Sequence, residues 1–269
     1  GPRLACARGA GTGGGVSGAR GLGWLARREV LRIYKTWTQT VLAPVVSSIL
    51  FILVFGLSLG SRIREVAGFP YEVYIVPGLI AMAMVQAAYN NNSSSIFQAR
   101  YDRFVHDVLS APMRPWQMNL GFNVGGMVRA LAIGLALLAL AMPITGIGVA
   151  HPFALLLAVA LGLVLFSAIG IVIGIFAETF DHSTFFVNIV VLPLAFLGGV
   201  FYSVGQLPSP WQELSLVNPV FYLVDSIRYG FLGASDVSPW LSLSVVAALA
   251  VPAYAWSQWL FTSGRRLKA

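Results

Sequence analysis

The sequence predicts an all-α membrane protein with six transmembrane helices, an N-terminal interfacial helix, a further cytoplasmic helix and extracellular re-entrant helices. Of the 269 residues, 57% are hydrophobic and 10% are charged, whereas roughly a quarter of the residues of an ordinary soluble domain are charged. The mean hydropathy is +0.78. The apolar residues fall into six long stretches with short connections, which favours a single membrane domain over residues 21–269.

Each apolar stretch is long enough to cross a bilayer as a helix. Hydrocarbon offers no hydrogen-bond partners to the backbone, so a span must be helical, and about 20 residues cover the roughly 30 Å core. The predicted spans are residues 40–59, 73–89, 130–149, 153–177, 184–204 and 240–261. Residues 1–20, which are rich in glycine and arginine, are predicted to form a disordered leader.

The basic residues predict the orientation of the six spans. With a cytoplasmic amino terminus, the cytoplasmic side receives Arg3, Arg8, Arg20, Arg27, Arg28, Arg32, Lys35, Arg100, Arg103, Arg114, Arg129, Arg265, Arg266 and Lys268. The opposite side receives only Arg62, Arg64 and Arg228. Because cytoplasmic ends carry an excess of Lys and Arg, we expect a multi-pass membrane protein with both termini in the cytoplasm.

Three segments are predicted to be helical without spanning the membrane. Before the first span, one helical stripe holds Leu22, Ala26, Val30, Ile33 and Trp37, and basic side chains lie opposite. This pattern favours a helix in the cytoplasmic interface, with a plain extension of the first span as the alternative. Residues 100–112 form a short amphipathic helix, interpreted either as a surface connector or as a contact for a cytosolic partner.

The third non-spanning segment, residues 211–233, is too polar and too interrupted to cross the bilayer. Proline disfavours helix at the residue before it, so Asn218-Pro219 predicts two short helices with a bend. Aromatic residues suited to the headgroup level surround the segment. It is predicted to form a re-entrant or interfacial hairpin, with a plain extracellular loop as the alternative.

The sequence lacks the residues that several classes of function require. A nucleotide-hydrolysing chain needs a glycine-rich loop ending in Gly-Lys-Ser/Thr, and the two lysines, Lys35 and Lys268, fit no such loop. The histidines, His106, His151 and His182, belong to different loops, which argues against a catalytic metal site. We therefore expect no enzyme activity, no cofactor in this chain and no nucleic-acid partner. Predicted spans without central ionisable residues also disfavour an ion-coupled carrier.

A markedly polar run follows the second predicted span. It consists of Asn90, Asn91, Asn92, Ser93, Ser94 and Ser95, and Gln86 precedes it. Such side chains hydrogen-bond neighbouring helices or line a hydrated path. Gln86, Asn90 and Asn91 are therefore candidate pathway residues, with simple helix packing as the alternative.

An ordered set of short motifs is similar to a known family. Ile-Val-Pro-Gly-Leu-Ile opens the second span at residues 75–80, and Leu-Ser-Ala-Pro ends the loop helix at 109–112. Leu-Gly-Gly-Val-Phe-Tyr-Ser lies at 197–203, before Leu-Pro at 207–208, Trp211, Asn218-Pro219 and Arg-Tyr-Gly-Phe-Leu-Gly at 228–233. In their order and spacing, from about Leu22 to the carboxyl end, these motifs resemble the ABC-2 type permeases and among them the YadH-type inner-membrane permeases.

The resemblance implies a six-span permease subunit of an ATP-binding cassette exporter, with no catalytic residues of its own. It implies two copies of the permease as a homodimer in the lipid bilayer, or a pair of different permeases. Either pair would work with two cytosolic ATP-binding cassette ATPase subunits, which carry the ATP and magnesium. The loop helix becomes a coupling helix that binds the ATPase through Arg100, Tyr101, Arg103, Phe104, Val105, Asp107, Val108 and Leu109. Asn218, Pro219 and Arg228 mark the extracellular hairpin.

Three functions remain open at this point. The first is outward transport of an amphipathic or lipid-linked substrate, powered by the separate ATPase. The second is a membrane scaffold that anchors a cytosolic partner, in which the loop helix matters and the path does not. The third is a secondary carrier, which runs without ATP.

Overall fold

The computed structural model describes residues 14–60 and 65–267, and within them the chain is almost entirely helical. The helices are α1 (Gly14–Lys35), α2 (Ala43–Gly60), α3 (Tyr71–Tyr101), α4 (Val105–Ser110), α5 (Pro115–Thr145), α6 (Pro152–Phe176), α7 (Phe180–Phe186), α8 (Leu192–Leu197), α9 (Ser209–Val217), α10 (Pro219–Leu232) and α11 (Pro239–Ser263). Two-residue strands, β1 (Glu65–Val66) and β2 (Phe69–Pro70), pair antiparallel ahead of α3.

Six helical segments of the described chain are long and apolar enough to cross a membrane, as predicted. They are Thr38–Gly56, Tyr71–Tyr101, Pro115–Thr145, Pro152–Phe176, Phe180–Leu197 and Pro239–Ser263. The predicted leader, residues 1–20, lies mostly outside the described residues, and its described part from Gly14 begins α1.

Two spans are longer than the sequence predicted. The second was expected to end at residue 89, but α3 continues to Tyr101 through the whole polar run. The third was expected to begin at residue 130, but α5 begins at Pro115. Both extensions are possible because their polar side chains find partners on neighbouring helices. The fifth span instead ends early, at Leu197, where Gly198 and Gly199 form a turn and Gly199 has φ +73°.

Helices α3 and α6 form the centre of the bundle. In the most apolar stretch of α3, 83% of the residues are buried, and in that of α6, 56%. Gly170 and Gly174 of α6 let the two backbones approach closely, because a Cβ at Gly174 would lie 2.6 Å from the Ser93 carbonyl oxygen of α3. Small residues four apart are a common way to bring membrane helices together.

The spans at the periphery are built differently. Only 22% of the residues are buried in the apolar stretches of Thr38–Gly56 and of Phe180–Leu197. Each contains a π-helical turn, Thr38–Leu42 in one and Val187–Val191 in the other, followed by a proline, Pro44 or Pro193. Proline has no N–H, so each proline interrupts the helical hydrogen-bond ladder where the span changes pitch.

The non-spanning helices lie at opposite ends of the bundle. Helices α1 and α4 meet at one end, where the Arg28 guanidinium lies 4.0 Å from the centre of the Phe104 ring. We call this the α1–α4 end. Helices α9 and α10 lie at the other, the α9–α10 end. They divide at Asn218, as the sequence predicted, and Gly233 with φ +73° ends α10.

Candidate functional site

A cavity of about 460 Å³ lies between α2, α3, α5 and α8. Its polar lining consists of Gln39, Ser47, Ser48, Gln86, Asn90 and Arg129. Its apolar lining consists of Ala43, Pro44, Phe51, Leu79, Met82, Ala83, Ala87, Leu192, Phe196 and Phe201. The two peripheral spans form one wall of the cavity, and the central helix α3 forms the opposite wall.

The cavity changes in polarity along the bundle axis. On α3 the lining passes from Leu79 through Met82 to Gln86 and Asn90, in the direction of the α1–α4 end. The α9–α10 end is aromatic instead, and the ring centres of Phe196 and Phe201 lie 5.5 Å apart. The cavity therefore offers a polar end and an apolar end to one occupant.

Arg129 is the cationic side chain at the polar end, whereas the sequence indicated it only as one of the charges on the cytoplasmic side. Its Nε donates to the Thr40 carbonyl oxygen at 3.1 Å. That oxygen lies four residues before Pro44, which has no N–H to offer it. Arg129 thus supplies the donor that the proline removes, and it joins α5 to α2 beside the cavity.

The candidate pathway residues divide into two groups. Gln86 and Asn90 line the cavity, whereas Asn91 does not. Asn91 is buried, and its side-chain and backbone oxygens both accept from Arg32 Nη2 at 3.1 Å. The rest of the run also serves packing, since Asn92 donates to the Ser167 carbonyl and Ser183 donates to Ser93. Helix packing therefore accounts for most of the run, and the assignment of Gln86 and Asn90 to a transport path stays a prediction.

Glu29 is a site residue that sequence reasoning missed. It is fully buried on α1, where Ser95 Oγ donates to its carboxylate at 2.8 Å and Arg32 lies 3.1 Å away. Arg28 pairs with its other oxygen at 3.3 Å. Burial lowers the pKa of Arg32, and the charge of Glu29 opposes that shift. The sequence offered one signal for Glu29, namely that it is a single acidic residue among basic ones on a helix predicted to lie at the membrane surface.

Helix α1 faces the bundle through Leu25, Glu29 and Ile33. Of the stripe predicted for this helix, Ile33 is buried while Val30 and Trp37 are exposed. The side of α1 that carries Val30, and Trp37 just after the helix, are therefore open to the surroundings of the protein.

The residues assigned to the coupling helix have several positions in the structure. Arg100 and Tyr101 end α3, and α4 itself begins at Val105. The Arg100 guanidinium donates to the Ala177 carbonyl at 2.9 Å, and thereby caps the end of α6.

Helix α4 presents one buried and one exposed face. Val105 and Val108 are buried, and Phe104 and Leu109 pack partly against them. Of the assigned set, Tyr101, Arg103 and Asp107 are exposed. These three exposed side chains, of which Asp107 belongs to α4, are available to another protein.

The α9–α10 end holds a second buried polar cluster. Arg228 of α10 is buried with its guanidinium 4.1 Å from the centre of the Tyr74 ring, and it donates to the Gly199 carbonyl. Its Nη1 lies 3.9 Å from an Asp236 carboxylate oxygen. The Asp236 N–H and the Ser242 hydroxyl donate to Asp225, each at 2.7 Å.

Asp225 and Asn218 complete this end of the molecule. Burial raises the pKa of Asp225, while its two hydrogen bonds and the charge of Arg228 oppose the shift. Asn218 caps α10 by accepting from the Val220 N–H at 2.9 Å, and its amide donates to the Leu194 carbonyl of α8. Pro219 is the first residue of α10, where a missing N–H costs nothing. Sequence motifs located Asn218, Pro219 and Arg228 but not Asp225 or Asp236.

Among the described residues, no three His, Cys, Asp or Glu side chains come close enough to hold a metal ion. The cavity itself offers a cationic, hydrogen-bonding end and an aromatic end.

The chain matches known proteins over most of its length. Residues 20–232 match the family model described as ABC-2 type transporter. The chain is 38% identical over 244 residues to the inner membrane transport permease YadH of Escherichia coli, covering 90% of this chain and 94% of that protein. It is 27% identical to nodulation protein J of Rhizobium leguminosarum bv. viciae, over 85% of this chain and 89% of that protein. The chain is a six-span membrane protein that belongs to the ABC-2 type transporter family.

Proposed function

We propose that this chain is the permease subunit of an ATP-binding cassette exporter of the inner membrane, moving an amphipathic or lipid-linked substrate outward. The observation that carries the proposal is the cavity, which is polar at one end, aromatic at the other and bounded by the two least buried spans. A pocket of this size and mixed lining suits a ligand with a polar head and an apolar tail.

The charge distribution supports a cytoplasmic position for the α1–α4 end. The basic residues at that end within the described chain are Arg20, Arg27, Arg28, Arg32, Lys35, Arg100, Arg103, Arg114, Arg129, Arg265 and Arg266. At the other end, the described chain has only the buried Arg228. An excess of cations marks the cytoplasmic side, so both termini lie there. Helix α1 then lies in the cytoplasmic interface and α9–α10 form the extracellular hairpin.

In this proposal, a separate ATPase subunit carries ATP and magnesium and docks on the exposed face of α4. Movement of α4 is transmitted to α1 because Arg28 stacks on Phe104. It then reaches α3 through the hydrogen bond between Glu29 and Ser95. The force of ATP-driven closure thus arrives at the helix that forms the wall of the cavity.

Two copies of the permease would complete the passage. The cavity wall that α2 and α8 provide belongs to the spans with the smallest buried share. Apolar side chains such as Val46, Leu50 and Phe196 are exposed there. A second permease against this face would enclose the two cavities from lipid, and the proposed assembly is a homodimer with two ATPase subunits.

The first test is an affinity pull-down of the chain in mild detergent, assayed for a co-purifying cassette ATPase and for vanadate-sensitive ATP hydrolysis. The double variant Arg103→Glu/Asp107→Arg reverses one exposed charge just before α4 and one on the exposed face of α4. It should lose the ATPase while remaining folded. Val108→Ala, on the buried face, is the matched control and should retain it. An isolated chain without any ATPase would contradict the proposal.

The scaffold alternative is tested inside the cavity. Gln86→Leu with Asn90→Leu removes two polar lining groups without touching Asn91, which holds Arg32. A transporter should lose flux while keeping its partner, whereas a scaffold should keep both its partner and its cellular function. Flux that continues without ATP and collapses with ionophores would indicate a secondary carrier instead.

A further inference from the structure

We propose that the substrate carries an anionic head, a phosphate or a carboxylate, which Arg129 binds while the apolar tail lies along Leu79, Phe51 and Phe201. This inference deepens the proposed function and rests on the cavity being the transport path. The nature of the cargo follows from how charge is distributed at the two ends of the cavity.

The polar end of the cavity has an excess of positive charge. Arg129 lines it, and no described carboxylate lies within ion-pair distance of that side chain. The nearby buried acid is Glu29, whose carboxylate is already paired with Arg28 and Arg32 and accepts from Ser95. A half-buried guanidinium without a counter-ion is costly, and an anionic ligand would remove that cost.

The structural role of Arg129 does not use its whole donor capacity. A guanidinium carries five N–H donors in a fixed fork. The hydrogen bond to the Thr40 carbonyl uses Nε and leaves the terminal nitrogens. Such a fork suits the paired oxygens of a carboxylate or phosphate. The amides of Gln86 and Asn90, on the same part of the lining, can donate to further head-group oxygens.

The rest of the cavity matches a single apolar chain. Leu79 and Asn90 are eleven residues apart on α3, so the lining extends about 16 Å along the axis at 1.5 Å per residue. Beyond Gln86 the α3 lining is Leu79, Met82 and Ala83, and the Phe51 and Phe201 rings close the far end with centres 6.4 Å apart. None of the described lining residues is acidic, so an anion meets no like charge there.

The test is binding of three amphiphiles with the same hexadecyl tail to the purified full chain in a neutral detergent. The probes are hexadecyl phosphate, heptadecanoate and the uncharged hexadecylglycerol, with affinities read by native mass spectrometry. We expect at least one of the two anions to bind about tenfold more tightly than the uncharged probe, as one charge-assisted bidentate contact predicts. Which anion binds better distinguishes a phosphate head from a carboxylate head.

Three variants assign the preference to Arg129. Arg129→Gln keeps a donor for the Thr40 carbonyl and should reduce the anion preference to within about twofold, whereas Arg129→Lys should retain part of it. Asn90→Asp places a carboxylate in the polar end without changing Arg129 and should weaken anion binding about tenfold. Arg265→Gln is the matched control, because Arg265 is an exposed arginine outside the cavity, and it should change nothing.

A cavity-filling variant separates failure of this inference from failure of the proposed function. Ser47→Trp fills the cavity from α2 and should weaken all three probes. Equal binding of the three probes that Ser47→Trp abolishes would overturn the anionic head while leaving the path in place. Binding indifferent to Ser47→Trp would overturn both the head-group assignment and the use of this cavity as the path.

Discussion

Two pairs of spans are both apolar but pack differently. The central pair is α3 and α6, and the peripheral pair is α2 and α7–α8. The central helices are unbroken, buried on most sides and joined through glycines. The peripheral helices contain π-helical turns and prolines, and leave most of their surface uncovered. This difference indicates that the central helices form a rigid scaffold, whereas the peripheral helices form a cavity wall whose helical pitch is locally irregular. The cavity lies between the two.

The largest expected effect tests how the scaffold is anchored at the α9–α10 end. Arg228→Met should lower the free energy of unfolding by about 3–5 kcal/mol, because it leaves Asp236 and the Gly199 carbonyl without their cationic partner. Thermal or denaturant unfolding in detergent measures the change. Arg265→Met, at an exposed position, should have no measurable effect. Equal stability of the two variants would show that α10 is not an anchor of α3.

A smaller loss of stability is expected when the contact between α3 and α6 is disturbed. Gly174→Ala places a methyl group 2.2 Å from Ile96 Cγ2 and 2.6 Å from the Ser93 carbonyl oxygen, and a backbone oxygen cannot rotate away. The expected loss of unfolding free energy is about 2–3 kcal/mol. Gly23→Ala is the matched control, since no other atom lies within 4 Å of its Cβ position. A harmless Gly174→Ala would mean that the central pair is less rigid than its packing indicates.

The buried Asp225 predicts a measurable pH dependence at the same anchor. Its pKa is raised by burial above the ordinary value of 3.8, so the folded protein binds a proton more readily than the unfolded chain does. Stability from this group is present below pH 3.8 and is lost as the pH rises through the raised folded pKa.

Asp225→Asn should remove that pH dependence. The unfolding free energy of the unsubstituted protein minus that of Asp225→Asn should therefore fall as the pH rises through this range. A value that stays constant with pH would contradict a raised pKa for Asp225, and a value that increases with pH would indicate a lowered one.

The smallest effect on stability is expected at the peripheral wall. Ser47→Trp on α2 lies on an exposed, cavity-facing position and should change the unfolding free energy by less than about 1 kcal/mol. The same variant should abolish flux in reconstituted vesicles that contain the ATPase. Large destabilisation by Ser47→Trp would show that α2 is part of the scaffold and would remove the distinction between the two pairs.

Much of the fold was accessible from the sequence because hydrocarbon imposes simple rules. The fourth and sixth spans agree with their predictions within a few residues, and the break at Asn218 follows from Pro219. The polar run after Tyr89 was harder, since hydropathy alone ends a span there. In the structure the run stays helical because Asn92 bonds α6 and Ser95 bonds α1.

The sequence by itself determined that this protein spans a membrane six times, that a short helix follows α3, and that a divided helical segment precedes the last span. Apolar length, proline chemistry and charge bias act locally, so they can be read along the chain. Only the tertiary structure decided that Glu29 is buried among arginines, that Asn91 serves packing, and that Arg129 completes the ladder broken at Pro44. These roles depend on partners far away in the chain, and no local pattern specifies which helices become neighbours.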